Sequence, residues 1–521
     1  MRHSVLLLML IASLAVNAYP LAVTQQPYNV DSILEYRAAE WVAEHGNLNY
    51  PDGVAYNNNH TPATPLLNAL TGAISSASGV DARTSLIALT LLVSSTACLG
   101  VYALALRWTR RESIALLAGT LVVVSGLSVY ASSSIWKQGF SIPIMLASLY
   151  LYTHPRGKPI SVAMFFLLLI THHFTAFICA LTVTYISLNR ALSTFPEDGW
   201  RSVRHIALPL ALWSAIYAYY TSVNFDRTEL LPIYGEMLLF LAVLVPLTII
   251  CYWLNRWTWD RGGSVKLAAA FTAVPLAIYA YGFVSPLFRD TLGFNEMVLA
   301  FTLGYVLALP FLVRGGQLLL HTVFPAKDLF VGYVLSVMHM YLFAFLRARD
   351  FVSHHIASRT TVLLAPLVSL LIALGAFSSK GSRFRVYGAV AMAVVVISTT
   401  TPIAYVGWSA FGADMYVHGW EMNAASYLSG VNSTVYTDDK LGRVAHNAYD
   451  VPVSASAPLL MEENSAIDGY VLCSERWQTE GAQMYPMPPV KVNITSYMDD
   501  ADILLISGPP GERVYVLRLY G

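Results

Sequence analysis

Two carboxylates four residues apart, Asp31 and Glu35, head a polar and aromatic stretch, Tyr28 to Pro65, that follows the first apolar run of the chain. A carboxylate held at a membrane surface, with apolar helices behind it, can take a proton from a hydroxyl or hold a divalent cation. Asp31 is the first candidate for that role. The competing expectation is that Asp31, or Ser32 beside it, merely caps the helix that follows. Glu35 lies one helical turn later and either shares the site or sits on a solvated face; the solvated face is the plainer expectation.

A second constellation is the run Arg347-Ala-Arg349-Asp350-Phe-Val-Ser-His354-His355-Ile-Ala-Ser-Arg359. Charge close to a membrane is costly and tends to mark function. Arginine forks match phosphate geometry, so Arg347, Arg349 and Arg359 are candidates to bind a lipid phosphate, against the plainer expectation of interfacial snorkelling with Asp350 as a local partner. His354, His355 and the adjacent pair His172-His173 are weaker candidates for substrate contact. So is Glu296, which opens a helix and is equally explained by the helix dipole. Lys137 and Gln138, in ASSSIWKQG, mark a short loop that carries no carboxylate.

Several classes fall away. The formal net charge is zero, which makes nucleic acid a poor partner, and there is no P-loop, GxSxG or HExxH motif. The four cysteines, Cys98, Cys179, Cys251 and Cys473, form neither a disulfide framework nor a CxxC metal site.

The elements that must position these residues are membrane helices. The chain of 521 residues is 56% hydrophobic and 12% charged, with a mean hydropathy of +0.54, where soluble domains carry roughly 25% charged residues. Thirteen apolar runs are predicted as spans: 4–23, 85–106, 113–131, 139–153, 159–171, 174–191, 206–222, 236–254, 267–285, 297–313, 329–346, 360–377 and 386–407. The first, about 20 residues long, exceeds a signal-peptide core and reads as an uncleaved helix. With the N-terminus cytoplasmic, the inner loops hold 17 Lys and Arg and the outer loops of the membrane part hold 8, as the positive-inside rule expects. The sequons at Asn59, Asn432 and Asn493 then all lie outside as glycosylation candidates.

The long first outer loop, 24–84, is expected to contain one amphipathic interfacial helix, built on Ile33, Leu34, Tyr36, Ala38, Ala39, Trp41 and Val42. Residues 1–407 therefore read as a polytopic α-helical membrane domain. Residues 408–521 hold 14 acidic and 6 basic side chains and no spanning run. A helix is predicted over Trp420 to Leu428, and strands over Ser433 to Thr437, Gly469 to Cys473, Ile503 to Ser507 and Val514 to Leu519, all expected to be buried. That gives a small C-terminal α/β domain on the outer, extracytoplasmic face of a multi-pass plasma-membrane protein.

This pattern resembles the GT-C class of membrane glycosyltransferases, which combine many spans with an acidic residue just after the first helix, short middle helices and an outer domain. The resemblance covers the whole chain in architecture and rests at residue level on Asp31 within YNVDSILEYRAAEWVAEHG. Thirteen spans with an outer domain are similar to oligosaccharyltransferase catalytic subunits and lipid A aminoarabinose transferases. The chain lacks the WWDxG-type motif and the acidic pair in the second outer loop of the former. It also carries Ser32 where protein O-mannosyltransferases have an acidic neighbour.

The resemblance implies an inverting transfer of a sugar from a polyprenyl-phosphate carrier to a glycan, lipid or protein acceptor on the outer face, in the cell envelope. Asp31 would act as the base or hold a divalent cation. The missing second-loop carboxylates favour a metal-independent route. The alternatives are a non-catalytic membrane scaffold and a transporter or flippase of lipid-linked sugar, which would show repeats and broken helices.

Overall fold

The computed structural model describes residues 2–24, 29–50, 60–195, 197–223, 225, 236–257, 260–287, 296–321, 327–347, 351–377, 382–400, 416–463, 465–484, 489–499 and 501–520. Helices form over the described part of each of the thirteen apolar runs, the last as far as Thr400. Among the described residues only six are long and apolar enough to cross a membrane: His3–Ala22, Ala82–Thr109, His173–Thr194, Met237–Arg256, Arg261–Gly282 and Lys327–Arg347. Two further pairs, Glu112–Val123 with Gly126–Ser133 and Val352–Val362 with Leu364–Phe377, are bent by 53° and 41°, giving eight if each counts as one span.

The count of thirteen thus shrinks for physical reasons. Lys137–Tyr152 has 16 residues and Lys158–Leu169 has 12; at 1.5 Å per residue they reach about 24 and 18 Å, short of a hydrocarbon core of about 30 Å. The molecule is a helical membrane protein whose bundle combines full-length helices with short and bent ones.

Small residues set the closest approaches inside it. A Cβ on Gly375 would lie 2.0 Å from the Phe311 carbonyl oxygen, and one on Gly315 would lie 2.1 Å from that of Leu371. The helices Leu309–His321 and Leu364–Phe377 therefore touch backbone to backbone, as dispersion-driven packing in lipid favours.

The segment between the first and second predicted spans, 24–84, holds two long helices and not one. Asp31–His45, the surface helix, ends at Gly46, whose φ of 65° lets its N–H reach the Val42 carbonyl. Leu66–Ser78, the companion helix, packs against it. A Cβ on Gly72 would fall 2.6 Å from Val42 Cβ, so this contact too depends on a missing side chain. The companion helix escapes sequence reading because LLNALTGAISSAS mixes apolar, small and polar residues without a clean stripe.

The C-terminal domain is a five-stranded mixed sheet in the order β2-β1-β3-β5-β4. β1 (Val435–Tyr436) pairs in parallel with β2 (Val453–Ser454) and with β3 (Gly469–Ser474); β5 (Val514–Leu519) runs antiparallel between β3 and β4 (Ala501–Ser507). The helix expected over Trp420 to Leu428 forms as Gly419–Tyr427. β3 and β5 are buried almost throughout, as expected. β4 is not: it is the sheet edge, its register shifts between Ile503 and Leu505, and Ile503, Leu504 and Ile506 are exposed. The domain core includes Val30, at the N-cap, and Ile33 from the surface helix. The segment after the first apolar helix is thereby built into the last domain.

Candidate functional site

Asp31 occupies the first turn of the surface helix and does not cap it. The N-cap position is Val30, whose side chain makes no capping hydrogen bond, and the residue before it, Asn29, accepts the Asp31 N–H on its Oδ1 at 2.8 Å. The Asp31 carboxylate instead turns to the C-terminal domain and accepts a hydrogen bond from Arg443 Nη1 at 3.1 Å, with Asp31 41% and Arg443 35% exposed. Arg443 lies on the domain's helix Asp439–Tyr449. Two turns further along the surface helix, Arg37 Nη1 and Nη2 donate to the Asp450 carboxylate at 2.7 and 2.6 Å, and Nη1 also donates to the Asn447 carbonyl. These two ion pairs fasten the surface helix to the domain.

Glu35 faces the other way. It is 12% exposed, and its Oε2 lies 3.1 Å from Nζ of Lys137, itself 2% exposed. The solvated-face expectation for Glu35 is therefore overturned: the turn between Asp31 and Glu35 places one carboxylate under the domain and the other against the bundle. Lys137 begins the short helix Lys137–Tyr152 and also donates to Thr64 Oγ1 at 3.0 Å. Its position comes from another close contact. A Cβ on Gly139 would lie 2.2 Å from the Ala131 carbonyl oxygen, so the helix starts hard against Gly126–Ser133.

Beside this pair the second half of the bundle contributes Arg359. Its Nη1 is 3.0 Å from His173 Nε2, and its carbonyl accepts from Gln138 Nε2 at 2.7 Å. His172 caps the helix His173–Thr194: its Nδ1 accepts the Thr175 N–H at 3.3 Å and lies 2.8 Å from Thr175 Oγ1. Burial first, and then the charges of Arg359 and Lys137, hold the His172 imidazole well below its usual range. His172 is thus a neutral spacer flanked by two cations.

The remaining candidates separate. Arg347 pairs with Glu236 at the head of the helix Met237–Arg256, and Arg359 lies in the last turn of Phe351–Val362. Arg349 and Asn59 lie outside the described residues, as does the Glu296 side chain at the start of Glu296–Leu307. His354 and His355 sit on Phe351–Val362, the helix that carries Arg359. Asn432 and Asn493 are exposed on loops of the C-terminal domain. All four cysteines are free and buried.

Sequence reasoning passed over Lys137 as a site residue, although it is the one cation in a carboxylate-free loop, and had no signal for Arg443. A divalent cation at Asp31 fits poorly, because a guanidinium already occupies that carboxylate. Among the described residues no three His, Cys, Asp or Glu side chains converge as metal ligands.

An open groove of 480 Å³ lies between Lys158–Leu169 and Gly199–Ser222, lined by Phe166, Leu167, Ile170, Ala218, Tyr219 and their neighbours. It ends within two residues of His172, and Tyr220, next to Tyr219, meets the His173 ring edge-on at 6.4 Å. The groove's lining residues thus adjoin the His172–His173 pair along both helices.

No family model matches the chain, and no curated protein does. Among solved structures it is similar to ArnT from Cupriavidus metallidurans bound to undecaprenyl phosphate, with 11% identity over 98% of this chain and 97% of that one and a TM-score of 0.38. Likeness of that degree identifies no member and fixes no residue.

Proposed function

We propose that the protein transfers a sugar from a polyprenyl-phosphate carrier to an acceptor hydroxyl at the end of the bundle that bears the C-terminal domain. One observation carries the reading: a shielded carboxylate, Glu35, and two cations, Lys137 and Arg359, gather around His172, with an apolar groove whose lining ends at Ile170. In this reading the carrier's isoprenoid chain lies in the groove and its phosphate meets Arg359. Glu35, the carboxylate on the bundle side, takes the proton of the acceptor hydroxyl. The acceptor oxygen then bonds to the anomeric carbon, the bond from that carbon to the phosphate oxygen breaks, and the carrier phosphate leaves with the electron pair. Arg359 stabilises the charge that builds there, a role in which one such donor is worth about 10²–10³ in rate. Asp31 holds the domain over the site through Arg443.

The test is mass spectrometry of lipid-linked sugars and surface glycans in a deletion strain, rescued with wild type, Glu35→Gln or Arg359→Ala. The expected result is a glycan lost on deletion and restored by wild type alone. Unchanged glycans in the deletion strain would sink the transferase reading. Full rescue by an equally abundant Glu35→Gln protein would remove Glu35 as the proton acceptor. Movement of lipid-linked sugar is a second reading, favoured by the two bent helix pairs. It is separated by the same experiment, because loss of a flippase strands the lipid-linked sugar on the cytoplasmic leaflet while transfer to acceptor by a membrane extract persists.

A further inference from the structure

The end of the bundle away from the C-terminal domain collects cations that the transfer does not use. Arg190 stands near the far end of the helix that begins at His173, about 25 Å away at 1.5 Å per residue. Its Nε and Nη2 both donate to one oxygen of Asp328, at 2.9 and 2.6 Å, which leaves Nη1 over. The Tyr152 ring carries both Arg190 and Lys158, 5.7 and 6.0 Å from its centroid. His205 sits among them: burial, then the charges of Arg190, Lys158 and Arg201, lower its imidazole from the usual range. Lys327, next to Asp328 in the chain, adds a further cation and is only 7% exposed.

The protein does not balance these charges. Asp328 is taken by Arg190. Asp198 caps Gly199–Ser222 through the Arg201 N–H at 2.9 Å, and both Glu197 and Asp198 are exposed. The side chains of Lys158, Arg201 and Lys327 have no hydrogen bond or ion pair among the described residues. Their placement adds to the imbalance. Lys158 and Lys327 are the first residues of their helices, and Arg201 lies in the first turn of its own. Helix dipoles favour anions there and oppose cations. The helix Lys158–Leu169 starts from Gly157 with no side-chain cap.

An anion answers both the charge and the dipoles, and the surroundings select which anion. Phe195 and Trp200, on the turn between the two helices, are exposed, and Arg204 lies 5.9 Å over the Trp200 ring. Ile160 and Val203, two positions beyond Lys158 and Arg201, are exposed as well. Aromatic rings at this level with apolar surface beyond them mark the boundary between headgroups and acyl chains. A basic site between helices at that boundary suits a lipid phosphate, which brings its own apolar chains.

We propose that Lys158, Arg190, Arg201 and Lys327 form a seat for the phosphate of an anionic phospholipid in the leaflet away from the C-terminal domain. Arg190 offers Nη1, and the two lysines offer their ammonium groups. The acyl chains lie along Lys158–Leu169 and Gly199–Ser222. The bound lipid neutralises Lys327 and fixes the bundle at a set depth in the bilayer. This seat is independent of the transferase reading and stands if that reading falls.

Full-length protein in detergent is offered phosphatidylglycerol or phosphatidylcholine with the same acyl chains, and bound lipid is counted by native mass spectrometry. One phosphatidylglycerol is expected to bind about tenfold or more tightly than phosphatidylcholine. Lys158→Gln with Arg201→Gln, both exposed, should erase most of that preference and leave the melting temperature in phosphatidylcholine nanodiscs at the wild-type value. Should that variant not fold, Arg201→Gln alone carries the comparison, with an expected loss of about fivefold. Arg261→Gln with Lys266→Gln removes the same charge from another helix, Arg261–Gly282, and should leave the preference intact. Equal binding of the two lipids by wild type, an unchanged preference without Lys158 and Arg201, or an equal loss without Arg261 and Lys266 each overturns the proposal. Inorganic phosphate is the last arm: displacement of phosphatidylglycerol at millimolar phosphate would make this a site for a soluble anion and remove the lipid.

Discussion

Asp31 and Glu35 share one helix and sit one turn apart, yet they live in different media. Asp31 meets Arg443 in a half-exposed pair on the underside of a soluble domain; Glu35 meets Lys137 where almost no water reaches. Coulomb attraction at about 3 Å is weak in water and strong in a protein interior, and so is the penalty for losing a partner. Two carboxylate–cation pairs on one helix are therefore held under different constraints, one half-exposed and one shielded.

The sharpest way to break the contrast is Lys137→Met. It strands Glu35 without its counter-ion and is expected to cost about 3–5 kcal/mol, read as a fall in melting temperature in detergent. The double variant Glu35→Gln with Lys137→Met should recover most of that stability and none of the activity. Arg359→Ala should leave folding nearly intact and lower transfer about 10²–10³-fold, with Arg359→Lys recovering only part, since a lysine is not a fork.

A third carboxylate extends the comparison into the domain. Asp438 accepts from the Leu441 and Gln483 backbone N–H groups and from Trp477 Nε1, yet burial pushes its carboxyl up to about 6. A carboxyl raised in the folded state favours its protonated form. The stability it adds is fully present below about pH 4 and is lost as pH rises through about 6, a swing of about 3 kcal/mol. Hydrogen exchange of the Asp439–Tyr449 amides should therefore quicken between those limits.

The smallest effect belongs to the exposed pair. Arg443→Ala and Asp31→Asn should each cost under about 1 kcal/mol of stability, and less in high salt. If either matched Lys137→Met, the two carboxylates would not differ as their surroundings require.

Much of the scaffold was legible in the chain. The described parts of the thirteen apolar runs are helical because unbroken apolar stretches leave no alternative in lipid. β3 and β5 could be read because their residues are apolar on both faces. β2, two residues long, and the companion helix gave no periodic signal. The site was half legible. Its residue types were visible at Glu35, Lys137, His172 and Arg359, but Glu35 acquires its partner from a loop more than a hundred residues away. Side-chain spacing within one helix cannot tell which of two neighbours will face it. Nor does sequence spacing show that Arg347 takes Glu236 as its partner and Arg359 lies against His173.

The bond from Arg37 to Asp450 spans 413 positions. On a ribosome adding about 5–20 residues per second, the surface helix waits about 20–80 s for the helix that completes it. Throughout that interval Val30 and Ile33 have no core to enter, and Arg37 must be kept from other partners by lipid or by a chaperone. Maturation of the first outer loop is thus set by the last event of synthesis, and chains cut short before the C-terminal domain release an unfinished helix to quality control.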